Sequence, residues 1–227
     1  MYIVFSTGAG VSAESGISTF RDAGGLWEQY PVMQVASAEG FQADPALVHR
    51  FYNERRKALL DAQPNEAHKL IAALQNYHDV AVITQNVDDL HERAGSRNVL
   101  HLHGELMKIR SVYDPEYIET LSPDNLETSV ETLGANGHPM RPHIVFFGEA
   151  VPNMEKAVEL VNQADLFVVI GTSLNVYPAA GLVQYTSQGT PIVYIDPNPA
   201  HIGLPNLKVI PEKATVGMEA LYRSLTT

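Results

Sequence analysis

Short apolar runs alternate along the chain with longer segments in which apolar residues recur every three or four positions. The short runs fit strands that are buried on both faces, and we predict them at Tyr2–Phe5, Val80–Thr84, Leu166–Gly171 and Ile192–Ile195. The longer segments predict helices at Pro45–Ala62, Glu66–Tyr77, Met154–Gln163, Ala179–Gln188 and Val216–Leu225. This alternation predicts an α/β fold built on a parallel sheet.

Two stretches depart from the alternation. One runs from Gly24 to about Asn76 and reads as a loop followed by helix, and the other, Glu105 to Arg141, contains three prolines and two glycines. Both are predicted to leave the sheet and to form a smaller inserted lobe. We therefore expect one domain over residues 1–227. Its sheet lobe would comprise about 1–28, 77–104 and 142–227, and its small lobe 29–76 (helical) and 105–141.

The composition and net charge limit the kinds of partner that the protein is expected to bind. Acidic residues outnumber basic ones 26 to 15, for a formal net charge of −11. Such a chain gains little from a phosphate backbone, so we expect no nucleic-acid partner and consider basic protein segments more plausible. The simpler alternative is that the charge only maintains solubility. No apolar run approaches the roughly 18 residues of a membrane helix, so no membrane partner is expected.

A glycine-rich turn follows the first predicted strand. Residues Gly8 to Ala13 read GAGVSA and fit the pattern G-x-G-x-x-G/A, in which glycines let the backbone approach a pyrophosphate at the start of a helix. A tight turn without a ligand is the alternative. A dehydrogenase would need a second strand soon afterwards, ending in an acidic residue. The chain instead continues as a loop that contains Arg21, which disfavours hydride transfer.

Five motifs occur in order. Residues 8–27 read GAGVSAESGISTFRDAGGLW, residues 84–91 TQNVDDLH, residues 101–104 HLHG, residues 145–149 VFFGE and residues 171–173 GTS. Together they resemble the signature of the sirtuins over nearly the whole chain except about Glu105–Met140. The resemblance implies a Rossmann-like parallel sheet with a smaller lobe, and NAD as co-substrate. It also implies removal of acyl groups from protein lysines, with nicotinamide and O-acyl-ADP-ribose as products.

The resemblance also assigns roles to residues. His103 would be the general base, since histidine titrates near neutral pH, and Asn86 and Asp88 would complete the catalytic set. His101, two residues before His103, is expected to be structural. NAD would be bound by Asn86, Asp88 and a larger set of residues: Gly8, Ala9, Gly10, Ala13, Phe20, Arg21, Gln85, Gly171, Thr172, Ser173, Asp196 and Ala214. Relatives usually carry asparagine at the position of Asp196.

A tyrosine and an arginine indicate which acyl group is bound. Tyr52 and Arg55 lie three positions apart on a predicted helix and so share a face, where a phenol and a guanidinium can hold a carboxylate. This Y-x-x-R pair resembles the motif of sirtuins that remove succinyl and malonyl groups, and Ala36 resembles their small pocket residue. Acetyl-lysine should fit too. The alternative is a solvated helix face. The peptide is expected to contact Val145, Phe147, Gly148 and Glu149.

The chain departs from the family in having no cysteine. Sirtuins usually bind a structural zinc ion through four cysteines between the HG and FGE motifs, and this segment offers only His138 and His143 besides carboxylates. We therefore expect no zinc, and either a mobile segment or a substitute apolar cluster. The candidates for that cluster are Leu106, Met107, Ile109, Val112, Tyr113, Tyr117, Ile118, Leu121, Leu126, Val130 and Leu133.

Two other functions compete with deacylation. One is transfer of ADP-ribose to a protein or small nucleophile, which the Tyr52–Arg55 pair disfavours because such a transferase has no use for a carboxylate clamp. The other is a non-catalytic NAD-binding module, which the intact His103, Asn86 and Asp88 disfavour. A compact cytoplasmic enzyme, monomeric and acting on acylated protein lysines, is the expectation.

Overall fold

The computed structural model describes residues 1–18, 30–204 and 206–227. Phe20 and Arg21, predicted to contact NAD, lie outside these ranges. The strands are β1 (Tyr2–Thr7), β2 (Asp79–Thr84), β3 (Val99–His101), β4 (Gly104–Ser111), β5 (Ile118–Thr120), β6 (Met140–Ile144), β7 (Leu166–Ile170), β8 (Ile192–Ile195) and β9 (Leu207–Ile210). The helices are α1 (Gly10–Ala13), α2 (Val32–Val35), α3 (Ala38–Ala43), α4 (Pro45–Asp61), α5 (Glu66–Ala73), α6 (Leu90–Arg93), α7 (Met154–Asn162) and α8 (Ala214–Thr226).

Six strands form a parallel sheet in the order β3-β2-β1-β7-β8-β9. The central strand β1 is buried on both faces: Ile3, Val4 and Phe5 are fully shielded from solvent. Strand order reverses between β1 and β7, and in open parallel sheets the crevice at such a point is where ligands bind. The predicted α/β fold with a Rossmann-like sheet is confirmed.

Helices cover both faces of the sheet. On one face α5 and α8 pack through Ala67, Ile71 and Met218, and on the other α7 packs through Ala157 and Val161. Residues 66–76 were predicted to belong to the small lobe, but α5 is part of the main sheet lobe because its apolar stripe covers β1 and β2.

One of the predicted α-helices differs from the prediction in type and in length. The segment Ala179–Tyr185 is a 3₁₀ helix and not an α-helix to Gln188. Gly181 in its middle weakens α-helical propensity, while its apolar side chains still reach the core on the α7 side. A second 3₁₀ turn, Leu74–Asn76, ends the segment that begins with α5.

The segment 105–141 contains a three-stranded antiparallel sheet in the order β5-β4-β6. The substitute apolar cluster predicted there is largely wrong. Leu106, Ile109 and Leu126 are buried, but Tyr113 is 72% exposed and Leu133 60% exposed. Val112, Ile118 and Val130 are exposed as well. Polar contacts with α4 also tie this segment to the protein.

Those polar contacts centre on Arg56, which is fully buried. Its Nε atom donates to the carbonyl of Leu106 at 2.7 Å, and Nη1 donates to the carbonyl of Leu126 at 3.4 Å and to the hydroxyl of Thr128 at 3.2 Å. Asn53, one turn earlier on α4, donates to the carbonyl of Thr128 and accepts from its backbone amide. The acceptors on Nε and Nη1 offset part of the cost of burying this charge.

Neither a membrane span nor a metal cluster is found in the parts of the chain that the structure describes. No helix in them is long and apolar enough to cross a bilayer. No group of three or more His, Cys, Asp or Glu residues in them could hold a metal ion.

Candidate active site

A cavity of about 580 Å³ opens at the carboxyl end of the parallel sheet, bounded on its far side by α4. It brings together predicted residues from the glycine-rich turn, the β2 loop, the HG and FGE motifs, the GTS turn and the acyl motif. They are Gly8, Ala9, Gly10, Ala13, Ala36, Tyr52, Arg55, Gln85, Asn86, His103, Val145, Phe147, Gly148, Glu149, Gly171, Thr172, Ser173, Asp196 and Ala214. Asp88 lines an adjoining cavity of about 220 Å³, with Asn86 and Arg55.

The glycine-rich turn packs directly on the turn that follows β7. A Cβ atom on Gly8 would lie 2.7 Å from the carbonyl oxygen of Gly171, and one on Gly10 would lie 2.8 Å from its Cα. The amides of Gly8 and Gly10 donate to the carbonyls of Ile170 and Gly171. These two amides therefore serve the contact between the turns. The glycines allow two turns to meet at the floor of the cavity.

Asn86 and Asp88 meet at the hydroxyl of Ser12. Asn86 donates to it from Nδ2 at 3.1 Å, and the hydroxyl donates to Oδ2 of Asp88 at 3.0 Å. The two residues thus face the same wall, as their spacing predicts. Burial raises the pKa of Asp88, while the amide of Leu90 and the Ser12 hydroxyl favour its charged form.

His68, a histidine outside the five motifs, also contacts the Ser12 hydroxyl. Nε2 of His68 lies 3.4 Å from Oγ of Ser12, and Nδ1 of His68 accepts from the backbone amide of Asn65 at 3.3 Å. Because Nδ1 is an acceptor, the ring proton sits on Nε2 and points at Ser12. The Ser12 oxygen thus faces one donor from His68 and one from Asn86, so its own proton is directed to Asp88.

His103 is held in the neutral form that a base requires. Its Nδ1 lies 3.1 Å from the carbonyl oxygen of Gln85, which can only accept, so Nδ1 carries the proton and Nε2 keeps its lone pair. Burial lowers the pKa of His103, and the contact with Gln85 opposes this only in part. The imidazole is therefore ready to accept a proton at neutral pH.

Tyr52 and Arg55 lie on the cavity side of α4, not on a solvated face. Tyr52 is 4% exposed, and burial raises its pKa, so the phenol remains a hydrogen-bond donor. The guanidinium carbon of Arg55 lies 5.6 Å from the ring centroid of Phe51. Burial lowers the pKa of Arg55, whereas Tyr52 and Asp88 favour its cationic form.

The FGE segment is tied to the start of the small lobe. The amide of Phe147 donates to the carbonyl of Ala36 at 2.8 Å, which places the small side chain of Ala36 beside the segment. Glu149 was predicted to bind substrate, but its carboxylate is occupied within the protein. It accepts from Arg141 at 2.6 Å, from Arg110 at 3.1 Å and from the amide of Phe146 at 2.8 Å. Glu149 thus holds the turn in place.

Another wall of the cavity comes from the ends of β7 and β8 and the start of α8. The phenol of Tyr194 donates to the carbonyl of Thr172 at 2.8 Å, and Gln85 reaches the Thr172 hydroxyl at 3.4 Å. Asp196 accepts from the backbone amide of Asn198 at 2.8 Å. Ala214, the first residue of α8, is buried at this wall.

A sequence model described as the Sir2 family matches residues 8–178, a span that contains all five motifs. The chain belongs to the Sir2 family. A curated relative named NAD-dependent protein deacylase, from Bacteroides thetaiotaomicron, is 54% identical over 227 residues, covering 98% of this chain and 97% of the relative.

Solved sirtuin structures share the fold. A mutant Sir2 homologue in complex with ADP-ribose has a TM-score of 0.89 and 39% identity, covering 99% of this chain and 91% of that one. A mutant Sir2 with a deacetylated p53 peptide and 3′-O-acetyl-ADP-ribose has a TM-score of 0.85 and 32% identity, with coverage of 98% and 92%.

Sequence reasoning missed three residues of this sirtuin site. Ser12 lies inside the glycine-rich motif but was not singled out, although a hydroxyl among glycines at a turn is a usable signal. His68 lies 56 positions from Ser12, and only its place in the first turn of α5, after Asn65, marks it. Arg56, the residue after Arg55, reads as an ordinary surface cation, because nothing local shows that a separate segment covers it.

Proposed function

We propose that this protein removes acyl groups from lysine side chains of proteins at the expense of NAD, preferring the acidic succinyl and malonyl groups and accepting acetyl. The observation that carries the proposal is one cavity lined by His103 together with Tyr52 and Arg55. The relatives' name and the ADP-ribose and peptide complexes of related structures support the class of reaction. The acidic preference rests on the cavity itself.

The residues at the carboxyl end of the sheet fit a dinucleotide. Glycine at positions 8 and 171 lets the two turns pack directly against each other beneath the cavity, and hydroxyl, amide and carboxylate groups ring the space. Such groups match ribose hydroxyls and a carboxamide, which both donate and accept. When bound, NAD supplies a ribose carbon from which nicotinamide can leave. Asn86 and Asp88, oriented through Ser12, would hold that end of the co-substrate.

His103 would accept a proton from a ribose hydroxyl at its Nε2 atom. Its Nδ1 proton remains with the Gln85 carbonyl throughout, so the ring keeps its orientation. The cationic product is stabilised by that same carbonyl. Water would then complete transfer of the acyl group, giving free lysine and O-acyl-ADP-ribose.

The acyl group would lie between Ala36 and the Tyr52–Arg55 pair. A succinyl carboxylate can accept two parallel bonds from the fork of Arg55 and one from the phenol of Tyr52. Burial is unfavourable for an arginine, so a carboxylate that shares the site offsets its lost hydration. An acetyl group has no carboxylate to pair with Arg55, but it fits the same space.

Product analysis tests the class of reaction. The protein is incubated with NAD and a succinyl-lysine peptide, and the products are separated and weighed by mass spectrometry. We expect nicotinamide, free lysine peptide and O-succinyl-ADP-ribose in equal amounts. ADP-ribose attached to the peptide or the protein would instead indicate a transferase, and unchanged NAD would indicate a binding role.

The absence of zinc, a monomeric state and a cytoplasmic location stay predictions. The polar contacts of Arg56 support the first, since they hold the segment in which other sirtuins carry cysteines.

A further inference from the structure

In both His101 and His103, Nδ1 faces a backbone carbonyl oxygen. In His101 the other ring nitrogen, Nε2, faces an acceptor as well. Nδ1 of His101 lies 2.9 Å from the carbonyl oxygen of Asn86, and its Nε2 lies 2.8 Å from Oε1 of Glu92. A carbonyl and a carboxylate can only accept. A neutral imidazole carries one ring proton and could satisfy one of them, so both bonds exist only in the imidazolium form.

We propose that His101 is a positioning residue of the site, a doubly hydrogen-bonded imidazolium that holds the backbone of Asn86 against the end of β3. Asn86 lies in the loop after β2, and its side chain orients Ser12. The ring of His101 is 8% exposed, so the bond to the Asn86 carbonyl is shielded from water. Loss of the ring proton from Nδ1 would set a lone pair against that carbonyl and release the loop.

The charges around His101 agree with this assignment. Burial alone would lower the pKa of His101, but the hydrogen bond and charge of Glu92 on α6, and then Glu105 on β4, raise it above the ordinary value. Burial alone would raise the pKa of Glu92, yet His101 holds it below the usual range. Within the part of the chain that the structure describes, His101 also favours the charged form of Asp88 and lies near His91, which burial and the neighbouring histidines keep neutral, while Lys108 favours the charged form of Glu92.

The expected pH dependence of activity follows from the direction in which the pKa of His101 is shifted. Because the pKa of His101 is raised in the folded protein, its ion pair with Glu92 is fully present below the unfolded value of about 6.5 and is lost as pH rises through the higher folded value. His103 behaves in the opposite sense, since its pKa is lowered and protonation removes the base on the acid side. His103 therefore sets the acid limb of activity, and His101 contributes an alkaline limb.

A ¹⁵N NMR titration of the resting protein tests the charge directly and needs no turnover. The ring signals of His101 are assigned by their absence in His101→Gln and by their displacement in Glu92→Gln. We expect both ring nitrogens of His101 to be largely protonated at the ordinary histidine value of about pH 6.5, where a solvated ring is already half neutral. A ring that carries one proton there would overturn the proposal.

The positioning role is tested with Glu92→Gln, which replaces the carboxylate with an uncharged amide of the same shape that can donate to Nε2 of a neutral ring. The Glu92 side chain is 40% exposed, so the change leaves packing nearly intact. Glu159→Gln on exposed α7 is the matched control. NAD affinity and kcat/KM are measured across pH for all three proteins.

We expect the alkaline loss of NAD affinity and of kcat/KM to disappear in Glu92→Gln, because the neutral ring then keeps its proton on Nδ1 against the Asn86 carbonyl. The acid limb should be unchanged, and Glu159→Gln should superimpose on the parent. An alkaline limb that persists unchanged in Glu92→Gln would contradict the role of His101. The catalytic consequence rests on the proposed deacylation. If no acyl group were removed at all, that function would fail, while the titration and NAD affinity would still decide the role of His101.

Discussion

The hydroxyl of Thr128 lies 2.8 Å from Nδ1 of His49, and this contact joins α4 to the inserted segment. Burial and the neighbouring Arg56 lower the pKa of His49 to about 4, so its ring is neutral and shares a hydrogen bond with the Thr128 hydroxyl. Asn53 and Arg56 reach the same residue from the next turn of α4. One polar residue of the inserted segment therefore meets three side chains of the helix that carries the acyl motif.

Removing the Thr128 hydroxyl should destabilise the protein. Thr128→Val keeps the shape but leaves Nη1 of Arg56 with one acceptor fewer and Nδ1 of His49 without its hydrogen-bond partner, at a cost of about 1–3 kcal/mol. The measurement is the free energy of unfolding from urea denaturation. Thr120→Val, on exposed β5, is the control and should change stability by less than about 0.5 kcal/mol. Equal effects of the two substitutions would mean that the Thr128 contacts do not hold the segment.

A chelator should leave the enzyme active, because the inserted segment is held by Arg56, Asn53 and His49. Turnover of an acylated peptide and the thermal unfolding midpoint are measured before and after dialysis against EDTA. We expect both to be unchanged. A loss restored by added zinc would show that a metal site exists and that the interpretation of residues 105–141 is wrong.

The acid limb of activity should lie below the ordinary range of histidine. Burial lowers the pKa of His103, so its basic form persists at a pH where a solvated histidine, with a pKa of about 6.5, is already half protonated. The measurement is kcat/KM between pH 5 and 8 with saturating NAD. His103→Ala should abolish turnover while NAD still binds. An acid limb at or above pH 6.5 would contradict the environment described for His103.

The acyl preference should depend on Arg55 and Tyr52. Arg55→Met removes charge-assisted bonds worth about 1.5–3 kcal/mol and should lower kcat/KM for succinyl peptides roughly 10- to 100-fold, with a much smaller loss for acetyl peptides. Tyr52→Phe should act in the same direction but less strongly, since it removes one neutral donor. Equal losses for both acyl groups in Arg55→Met would remove the carboxylate clamp from the account.

Much of the fold could be predicted because buried parallel strands are continuous apolar runs, as in β1 and β7. The motif residues could be placed together because the carboxyl ends of parallel strands meet at one edge. Other features depend on partners distant in sequence. Arg56 is buried by residues 106–128, and the Ser12 hydroxyl is directed by His68. Local pattern could not show that Tyr113 and Leu133 face solvent, since apolar residues in a proline-rich segment carry no clear periodicity.

The most direct test of the account is turnover of paired peptides that differ only in a succinyl or an acetyl group on one lysine, measured by mass spectrometry with and without NAD. We predict removal that requires NAD, with the higher kcat/KM for succinyl-lysine. NAD-dependent removal that favours acetyl-lysine would contradict the role given to Tyr52 and Arg55, and no removal of either group would contradict the proposed deacylation.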